Sequence, residues 1–160
     1  MIKRVAHRGG AALRPENTLA AVRHAIARGI DGIEVDVHLC ADNKIVVHHD
    51  FRLNPMSTRL GSDWIEADQT RYIKDLTYEQ LLAYDVGRLR PGSSLAERHS
   101  DQIPVDGARI PLLQEVMTEI EGAEPTFLQI ELKRDAFKPG QTADVDTFAD
   151  KFAETIVGSS

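Results

Sequence analysis

Three carboxylates lie in stretches of the sequence that alternate like β-strands. Glu34 and Asp36 are two residues apart in GIEVDVHL, and Glu131 lies in TFLQIELK. Because successive side chains of a strand point to opposite faces, Glu34 and Asp36 share one face. Carboxylate oxygens of this kind suit Mg²⁺ or Ca²⁺ better than a soft transition metal. The spacing predicts a divalent-metal site if a neighbouring parallel strand places Glu131 beside the other two.

Histidines near these strands can exchange protons near neutral pH. His7 ends the run KRVAH, and His49 follows the apolar run KIVV. We expect both histidines at the carboxyl ends of parallel strands, where α/β sheets bind their ligands. Strand alternation puts His48 on the face opposite His49, as a structural or supporting residue. His24 and His99 are expected at the surface.

Two basic side chains adjoin the candidate acids and bases. Arg8 follows His7, and Lys133 shares a strand face with Glu131, so both cations can offset charge on an anionic oxygen. The alternative is that they form ion pairs with the same carboxylates. With the metal and the histidines, the set predicts phosphoester chemistry in which the metal polarises a phosphoryl oxygen.

The elements that position these groups follow the order strand, helix, strand. Pro15 cannot lie inside a helix, and Asn17 or Thr18 can cap one, so RPENT predicts a helix start. The apolar stripe of that helix recurs at helical spacing, as Leu19, Val22, Ala25 and Ile26. The helix should end at Gly29, and the next strand follows at once. This order implies two parallel strands joined by a crossover.

The segment 51–109 has no clear periodicity and is long for a connection, so we predict an inserted segment over one end of the sheet. It contains one helix start, in which Thr77 is the cap and Gln80 completes a capping box. Beyond it the pattern predicts three further elements: a helix over 112–121, a strand over 126–133 and a helix over 144–157.

The composition suits one domain with its own core, since 42% of the 160 residues are hydrophobic. A net charge of -6 argues against binding to nucleic acid, which needs a basic face. The sequence shows no apolar run of membrane-spanning or signal-peptide length, so we expect no stable membrane insertion and a cytoplasmic location. Cys40 is the single cysteine and is expected as a small buried residue at a strand end.

Taken in series, six short motifs closely resemble the glycerophosphodiester phosphodiesterase family. They are AHRGG, RPENT, GIEVDVHL, VVHHD, GARIPLLQEV and IELK, and they extend from residue 6 to residue 133. The resemblance implies an α/β fold of the (β/α)8 TIM-barrel type. It also implies hydrolysis of glycerophosphodiesters to glycerol 3-phosphate and an alcohol.

The resemblance further implies a role for each candidate residue. His7 and His49 act as the general acid/base pair, while Arg8 and Lys133 bind the phosphate. The ligands of one divalent cation, Mg²⁺ or Ca²⁺, are Glu34, Asp36 and Glu131. Attack by the glycerol hydroxyl of the substrate, before water completes the hydrolysis, is the implied course of reaction.

Two short stretches depart from the family pattern. Leu53 is followed by Asn54-Pro55-Met56-Ser57-Thr58 where the family commonly has an Arg-Thr-Thr-like run, and Leu112 replaces the usual threonine of an IPTL-like motif. Length is a larger departure, because a (β/α)8 barrel usually needs about 250 residues. We therefore expect residues 1–160 to form the N-terminal half of a barrel, with 51–109 inserted after its second to third strand.

Two alternative functions remain open. An incomplete barrel with an exposed edge strand favours self-association or completion by another chain, and such a fragment would be non-catalytic. Alternatively, the barrel chemistry acts on lysophospholipids or phospholipid headgroups, which exposed apolar residues in 51–109 would favour. Trp64, Ile65 and Tyr72 are few, and we interpret them as cover for the barrel mouth.

Overall fold

The computed structural model describes residues 2–123 and 127–158, and within them the chain forms a four-stranded sheet and a smaller three-stranded sheet. In chain order the strands are β1 (Val5–Ala6), β2 (Gly32–Leu39), β3 (Ile45–Val47), β4 (Arg59–Leu60), β5 (Asp63–Trp64), β6 (Tyr84–Asp85) and β7 (Phe127–Leu132). The helices are α1 (Leu19–Ala27), α2 (Tyr78–Leu81), α3 (Ser94–Arg98), α4 (Leu113–Glu121) and α5 (Val145–Val157). None of these helices is both long and apolar enough to cross a bilayer.

β2 is the central strand of the main sheet, and every one of its residues is buried. It runs parallel to β1, where Val5 faces Gly32, and parallel to β7, where Asp36 faces Glu131. The predicted strand, helix, strand order with a parallel pair is confirmed, because α1 connects β1 to β2. Within the described residues the sheet does not close into a barrel, and the outer edge of β7 has no partner strand.

β3 runs antiparallel to β2, with Leu39 opposite Ile45 and Val37 opposite Val47. The expectation that His49 ends a parallel strand is therefore wrong. The reason is the connection, because the few residues between β2 and β3 can make a hairpin but not the crossover that a parallel pair needs. The hairpin turns the chain back, and His49 follows β3 in an irregular stretch.

The main core lies between the sheet and one layer of helices. The odd-numbered side chains of β2 from Ile33 to Leu39 pack there against Val22 of α1, Val116 of α4 and Phe148 of α5. The even-numbered side chains, Glu34 among them, therefore lie on the other face, as strand alternation predicts. Polar groups collect on this face along β2, while at the β3 end the same face is covered by apolar residues around Val46.

α1 begins at Thr18, whose hydroxyl accepts a hydrogen bond from the backbone N–H of Ala21 at 3.2 Å. The cap is thus Thr18, and the side chain of Asn17 contacts β2 instead. The later helices also match their predictions, since α4 ends at Glu121 before Gly122 and Asp144 caps α5. The first strand is shorter than the predicted 3–7, and residue 126 of the predicted strand 126–133 lies outside the described residues.

The segment 51–109 forms a second core. Its small sheet has the antiparallel order β5, β4, β6, and the predicted capping box of Thr77 and Gln80 starts α2. The second core joins this segment to the β2–β3 hairpin through Cys40 and Val46. Its other buried members are Leu53, Ile65, Ile73, Leu76, Leu81, Val86 and Ile110. The place of the segment over the mouth of a complete barrel stays a prediction.

Candidate active site

The three predicted carboxylates meet on the face of the main sheet opposite α1, α4 and α5. Asp36 and Glu131 are direct neighbours on β2 and β7, and Glu34 lies two residues before Asp36 on the same face. One oxygen from each of the three lies within 4.8 Å of the others. Glu34 is 6% exposed and Asp36 1%, whereas the Glu131 side chain is 57% exposed. The cluster therefore has two buried members and one that borders solvent.

Lys133 lies between two of these carboxylates. Its Nζ is 3.3 Å from Oδ1 of Asp36 and donates a hydrogen bond to Oε1 of Glu131 at 2.9 Å. Burial lowers the pKa of Lys133, but the hydrogen bonds and charges of Glu131 and Asp36 outweigh it and leave that pKa raised. The ion-pair alternative is thus realised at this position, and the ammonium offsets charge that would be costly to bury alone.

A divalent cation fits this donor set. Mg²⁺ and Ca²⁺ take carboxylate oxygens as ligands, and three such oxygens converge here from two adjacent strands. The buried pair Glu34 and Asp36 supplies rigid positions, because β2 has strand neighbours on both edges at Gly32 and Val37. Glu131, on the strand with the open edge, borders the solvent from which an ion would enter.

Asn17 holds Asp36 in place. Its Nδ2 donates to Oδ2 of Asp36 at 2.8 Å, and its Oδ1 accepts the backbone N–H of Asp36 at 3.2 Å. Asn17 is buried and has a φ of 55°, a left-handed conformation that asparagine tolerates better than most residues. From the sequence, Asn17 was predicted only as a possible helix cap. The sequence did contain a sign of this second role, because Asn17 and Thr18 can both cap a helix and only one of them is needed to do so.

His7 and Arg8 follow β1 in a tight turn that spans His7–Gly9. The backbone N–H of Arg8 donates to Oε2 of Glu34 at 2.8 Å, and Nε2 of His7 lies 4.0 Å from the same oxygen. The Arg8 guanidinium contacts Asp36, with Nε 3.7 Å from Oδ2, and donates to Glu16 at 3.0 Å. The predicted pair His7 and Arg8 is therefore brought to the carboxylates, and Glu16 is a contact that the sequence did not reveal.

Gly9 makes this turn possible. Its φ is 74°, and a Cβ at this position would lie 2.9 Å from Cβ of Ala21 on α1. A side chain is therefore excluded both by the backbone conformation and by the close approach of the helix. The glycine lets His7 and Arg8 lie against β2 while α1 packs directly behind them.

His49 reaches the site through the hairpin. It lines a cavity of about 440 Å³ together with Asp50, Glu131, Lys133 and Phe137. Its Nδ1 lies 2.7 Å from Oδ1 of Asp50, which is a hydrogen bond between neighbours in sequence. The structure thus brings His49 to the same cavity as two of the candidate site residues, although not by the parallel strand that we expected.

The other strand-associated histidines are buried. Burial lowers the pKa of His38 to about 3, and burial also lowers the pKa of His48. Nε2 of His38 is hydrogen bonded to the backbone carbonyl of His49 at 3.3 Å, so His38 supports the stretch that carries His49. The burial of His48 fits its predicted structural role.

The family model of the glycerophosphoryl diester phosphodiesterases matches residues 7–156 of this chain. A glycerophosphodiester phosphodiesterase of Bacillus altitudinis is 35% identical over 141 residues, which are 88% of this chain and 49% of the relative. One from Caldanaerobacter subterraneus is 35% identical over 129 residues, which are 81% of this chain and 44% of the relative. The chain therefore spans about half the length of the curated relatives that it matches.

Solved structures agree with this assignment. A candidate glycerophosphoryl diester phosphodiesterase from Silicibacter pomeroyi has a TM-score of 0.91 at 28% identity, covering 99% of this chain and 54% of its own. An Oleispira antarctica phosphodiesterase, solved in complex with the product sn-glycerol-3-phosphate, has a TM-score of 0.64 at 25% identity, covering 97% of this chain and 53% of its own. The chain belongs to the glycerophosphoryl diester phosphodiesterase family, whose fold is of the TIM-barrel type.

Proposed function

We propose that this chain carries the metal and phosphate site of an enzyme that hydrolyses glycerophosphodiesters to glycerol 3-phosphate and an alcohol. The observation that carries the proposal is the convergence of three carboxylates, whose oxygens lie within 4.8 Å of one another, with Lys133 and Arg8 beside them. The names of the relatives from Bacillus altitudinis and Caldanaerobacter subterraneus support it. So does the sn-glycerol-3-phosphate bound by the Oleispira antarctica phosphodiesterase.

In this proposal Glu34, Asp36 and Glu131 hold one Mg²⁺ or Ca²⁺ ion, which supplies polarisation of a phosphoryl oxygen when it is bound. Asn17 keeps the Asp36 carboxylate oriented through its two hydrogen bonds. Arg8 and Lys133 contact the phosphate and offset the negative charge that develops on its oxygens.

Proton transfer falls to the two histidines. His7 is largely exposed beside Glu34, and His49 lines the cavity with its Nδ1 bound to Asp50. One histidine takes the proton from the attacking glycerol hydroxyl, and the other gives a proton to the departing alcohol. The attack by the hydroxyl releases the alcohol and forms a cyclic phosphodiester. The roles then reverse: one histidine takes a proton from the attacking water, and the other returns a proton to the glycerol oxygen as the ring opens.

The test is hydrolysis of glycerophosphocholine, followed by the release of glycerol 3-phosphate with Mg²⁺, with Ca²⁺ and with a chelator. We expect activity that the chelator abolishes and added metal restores. The His7→Ala and His49→Ala double variant should lose at least about 100-fold in kcat. A double variant of His24→Ala and His99→Ala is the matched control and should keep its activity. Hydrolysis that is unchanged by the chelator, or that persists in the His7→Ala and His49→Ala double variant, would contradict the mechanism.

A second candidate substrate is a lysophospholipid. The human protein named lysophospholipase D GDPD1 is 34% identical to this chain over 131 residues, which are 82% of this chain and 36% of the relative. Phe137 lines the same cavity as His49 and is 96% exposed, so an acyl chain could lie against it. Comparison of lysophosphatidylcholine with glycerophosphocholine decides between the substrates. A Phe137→Ser variant should lose activity on the lysolipid only if the acyl chain binds there.

The non-catalytic alternative depends on the open edge of the main sheet. Within the described ranges β7 has no partner on its outer edge, and its last residue, Leu132, is 38% exposed. These features favour association through β7, with a second copy or with another chain. Light scattering coupled to size exclusion tests this reading, and a compact, active monomer would contradict it. The cytoplasmic location stays a prediction.

A further inference from the structure

The side chain of Asn54 is held in one orientation. Its Oδ1 accepts the backbone N–H of Met56 at 2.9 Å, and its Nδ2 donates to Oδ2 of Asp50 at 2.7 Å. The N–H of Met56 can only donate, so the atom facing it must be the amide oxygen. The amide nitrogen is then left pointing at the Asp50 carboxylate.

The chain around Asn54 is held by local contacts on both sides. The backbone N–H of Ser57 donates to the carbonyl of Asn54 at 3.0 Å, which closes a four-residue turn with Pro55 at its second position. Proline favours that position because its ring fixes φ, and the asparagine adds its own turn through Met56. Leu53, the preceding residue, is 1% exposed and belongs to the second core. Asn54 is thus anchored on both sides.

Asp50 divides its two oxygens between Asn54 and His49. Oδ2 accepts from Asn54, while Oδ1 lies 2.7 Å from Nδ1 of His49. Burial raises the pKa of Asp50, but the hydrogen bonds from His49 and Asn54 and the charge of His48 outweigh burial and lower that pKa. An ionised carboxylate can only accept hydrogen bonds, so Nδ1 of His49 must carry the proton.

We propose that Asn54 is a positioning residue for His49. It fixes the Asp50 carboxylate, and Asp50 in turn keeps the His49 ring in the tautomer that is protonated on Nδ1, so that Nε2 is the nitrogen available for proton exchange. Without Asn54 the Asp50 side chain, which is 38% exposed, is free to turn toward solvent. The catalytic consequence rests on the proposed function, whereas the tautomer does not.

The turn that begins at Asn54 lies in the stretch 54–58, where the sequence differs from the pattern expected from the resemblance. Asn54, Pro55, Met56 and Ser57 form the turn that carries the Asp50 contact. A residue that acts through Asp50 in this way would escape any search limited to groups that touch substrate.

The experiment is long-range ¹H–¹⁵N NMR of histidine-labelled protein, with the His49 signals assigned from a His49→Asn variant. In the wild type we expect neutral His49 to be protonated on Nδ1. Asn54→Ser keeps an oxygen for the Met56 N–H but cannot reach Asp50, and the single-tautomer pattern should be lost. Asn54→Asp, which keeps the size and the Met56 contact, is the second variant. Ser57→Ala, in the same turn, is the control and should leave the pattern unchanged.

Activity is measured in parallel as a separate arm. If the wild type hydrolyses glycerophosphocholine, the Asn54 variants should lose about 10- to 100-fold in kcat with little change in KM. An altered tautomer in the variants of a protein without activity would refute the proposed function and leave the positioning role intact. Folded Asn54→Ser and Asn54→Asp variants that both keep the wild-type tautomer would overturn the positioning role, whatever the activity.

Discussion

Asn17 and Asp36 exchange two hydrogen bonds, one from the Asn17 amide to the Asp36 carboxylate at 2.8 Å and one from the Asp36 backbone to the Asn17 carbonyl at 3.2 Å. A single side chain thereby fixes both the main chain and the carboxylate of a candidate metal ligand. Asn17 belongs to the loop before α1, so the position of that loop and the orientation of the ligand are coupled. Loss of an outer contact of this kind typically costs about 10- to 100-fold in metal affinity or activity.

The first prediction concerns Asn17. Asn17→Gly tolerates the φ of 55° but removes both hydrogen bonds, so the free energy of unfolding should fall by about 2–4 kcal/mol. The affinity for Mg²⁺ should fall about 10- to 100-fold because Asp36 loses its orientation. Urea denaturation and calorimetric titration measure the two effects. Asn43→Gly is the matched control, since Asn43 also has a positive φ, of 58°, but is exposed in the β2–β3 turn.

The second prediction concerns the carboxylate cluster. Mg²⁺ at about 100 times its dissociation constant should stabilise the protein by about 2.7 kcal/mol, because the ion binds the folded state. Asp36→Asn should remove this stabilisation, whereas Asp146→Asn, at an exposed position on α5, should keep it. Thermal unfolding with and without Mg²⁺ supplies the measurement. Equal metal responses in Asp36→Asn and the wild type would count against a site at Glu34, Asp36 and Glu131.

The third prediction concerns Cys40. Burial, with the hydrogen bond from its thiol to Asp42, raises the pKa of Cys40 from 9.0 to about 11. The thiolate is the reactive form, so alkylation at pH 8 should be at least about 100-fold slower in the folded protein than in urea. Comparable rates in the two states would show that Cys40 is accessible in the folded protein.

The same pKa gives Cys40 a stability effect at alkaline pH. The folded protein keeps the thiol proton to a higher pH than the unfolded chain does. The contribution of Cys40 should therefore be present below pH 9 and decline as the pH rises toward 11, by about 1.4 kcal/mol for each pH unit. Subtracting the stability of a Cys40→Ala variant at each pH isolates this term. A difference between the two proteins that does not change with pH would contradict the raised pKa.

The fourth prediction concerns the segment 51–109. Asp85 is buried and accepts hydrogen bonds from the backbone N–H groups of Gly87 at 2.8 Å and Gly107 at 2.9 Å, and it pairs with Arg59. In Asp85→Asn the amide N–H₂ group would face N–H donors whose hydrogen bonds the carboxylate now accepts. The segment should therefore be destabilised by about 2–4 kcal/mol. Hydrogen exchange should rise within 51–109 and change little in β2 and β7.

Asp106 supplies the control for Asp85. Its carboxylate also pairs with Arg59, but its side chain is 56% exposed, so Asp106→Asn should cost no more than about 1 kcal/mol. Burial raises the pKa of Asp85, but the N–H groups of Gly107 and Gly87, with Arg59, outweigh burial and lower it. The contribution of Asp85 is therefore complete above its unfolded pKa and is lost as the pH falls through the lower folded value. Equal losses of stability for Asp85→Asn and Asp106→Asn would contradict this role of Asp85.

Strand alternation predicted the carboxylate cluster well. The period of two is strict, so Glu34 and Asp36 had to share a face, and the alternation of TFLQIELK gave the same face to Glu131 and Lys133. The helices were equally readable, because Thr18 and Thr77 carry local capping signals. These predictions depend on residues close in sequence, and for that reason they agree with the structure.

The failures concern relationships between distant residues or very short elements. The direction of β3 relative to β2 depends on how the chain turns after Leu39. An apolar run such as KIVV predicts a strand, but it does not predict whether that strand is parallel or antiparallel to its neighbour. Strands β4, β5 and β6 have two residues each, which is too short for any periodicity. The contact of Asn17 with Asp36 joins a loop to a strand across 19 positions, and side-chain type alone did not predict it.

β1 and β3 share one edge of β2, since Gly32 has both Val5 and Phe127 as partners and Val37 has both Val47 and Leu132. Between them no described strand pairs with that edge of β2, where Asn17 accepts the backbone N–H of Asp36 at 3.2 Å and the backbone N–H of His48 donates to the Asp36 carbonyl at 2.9 Å. The loop residue Asn17 can therefore contact Asp36 from the edge of the sheet. A redesign that lengthened β1 would pair this edge of β2 with backbone and displace Asn17 from Asp36. A more regular sheet would therefore disturb the candidate metal ligand.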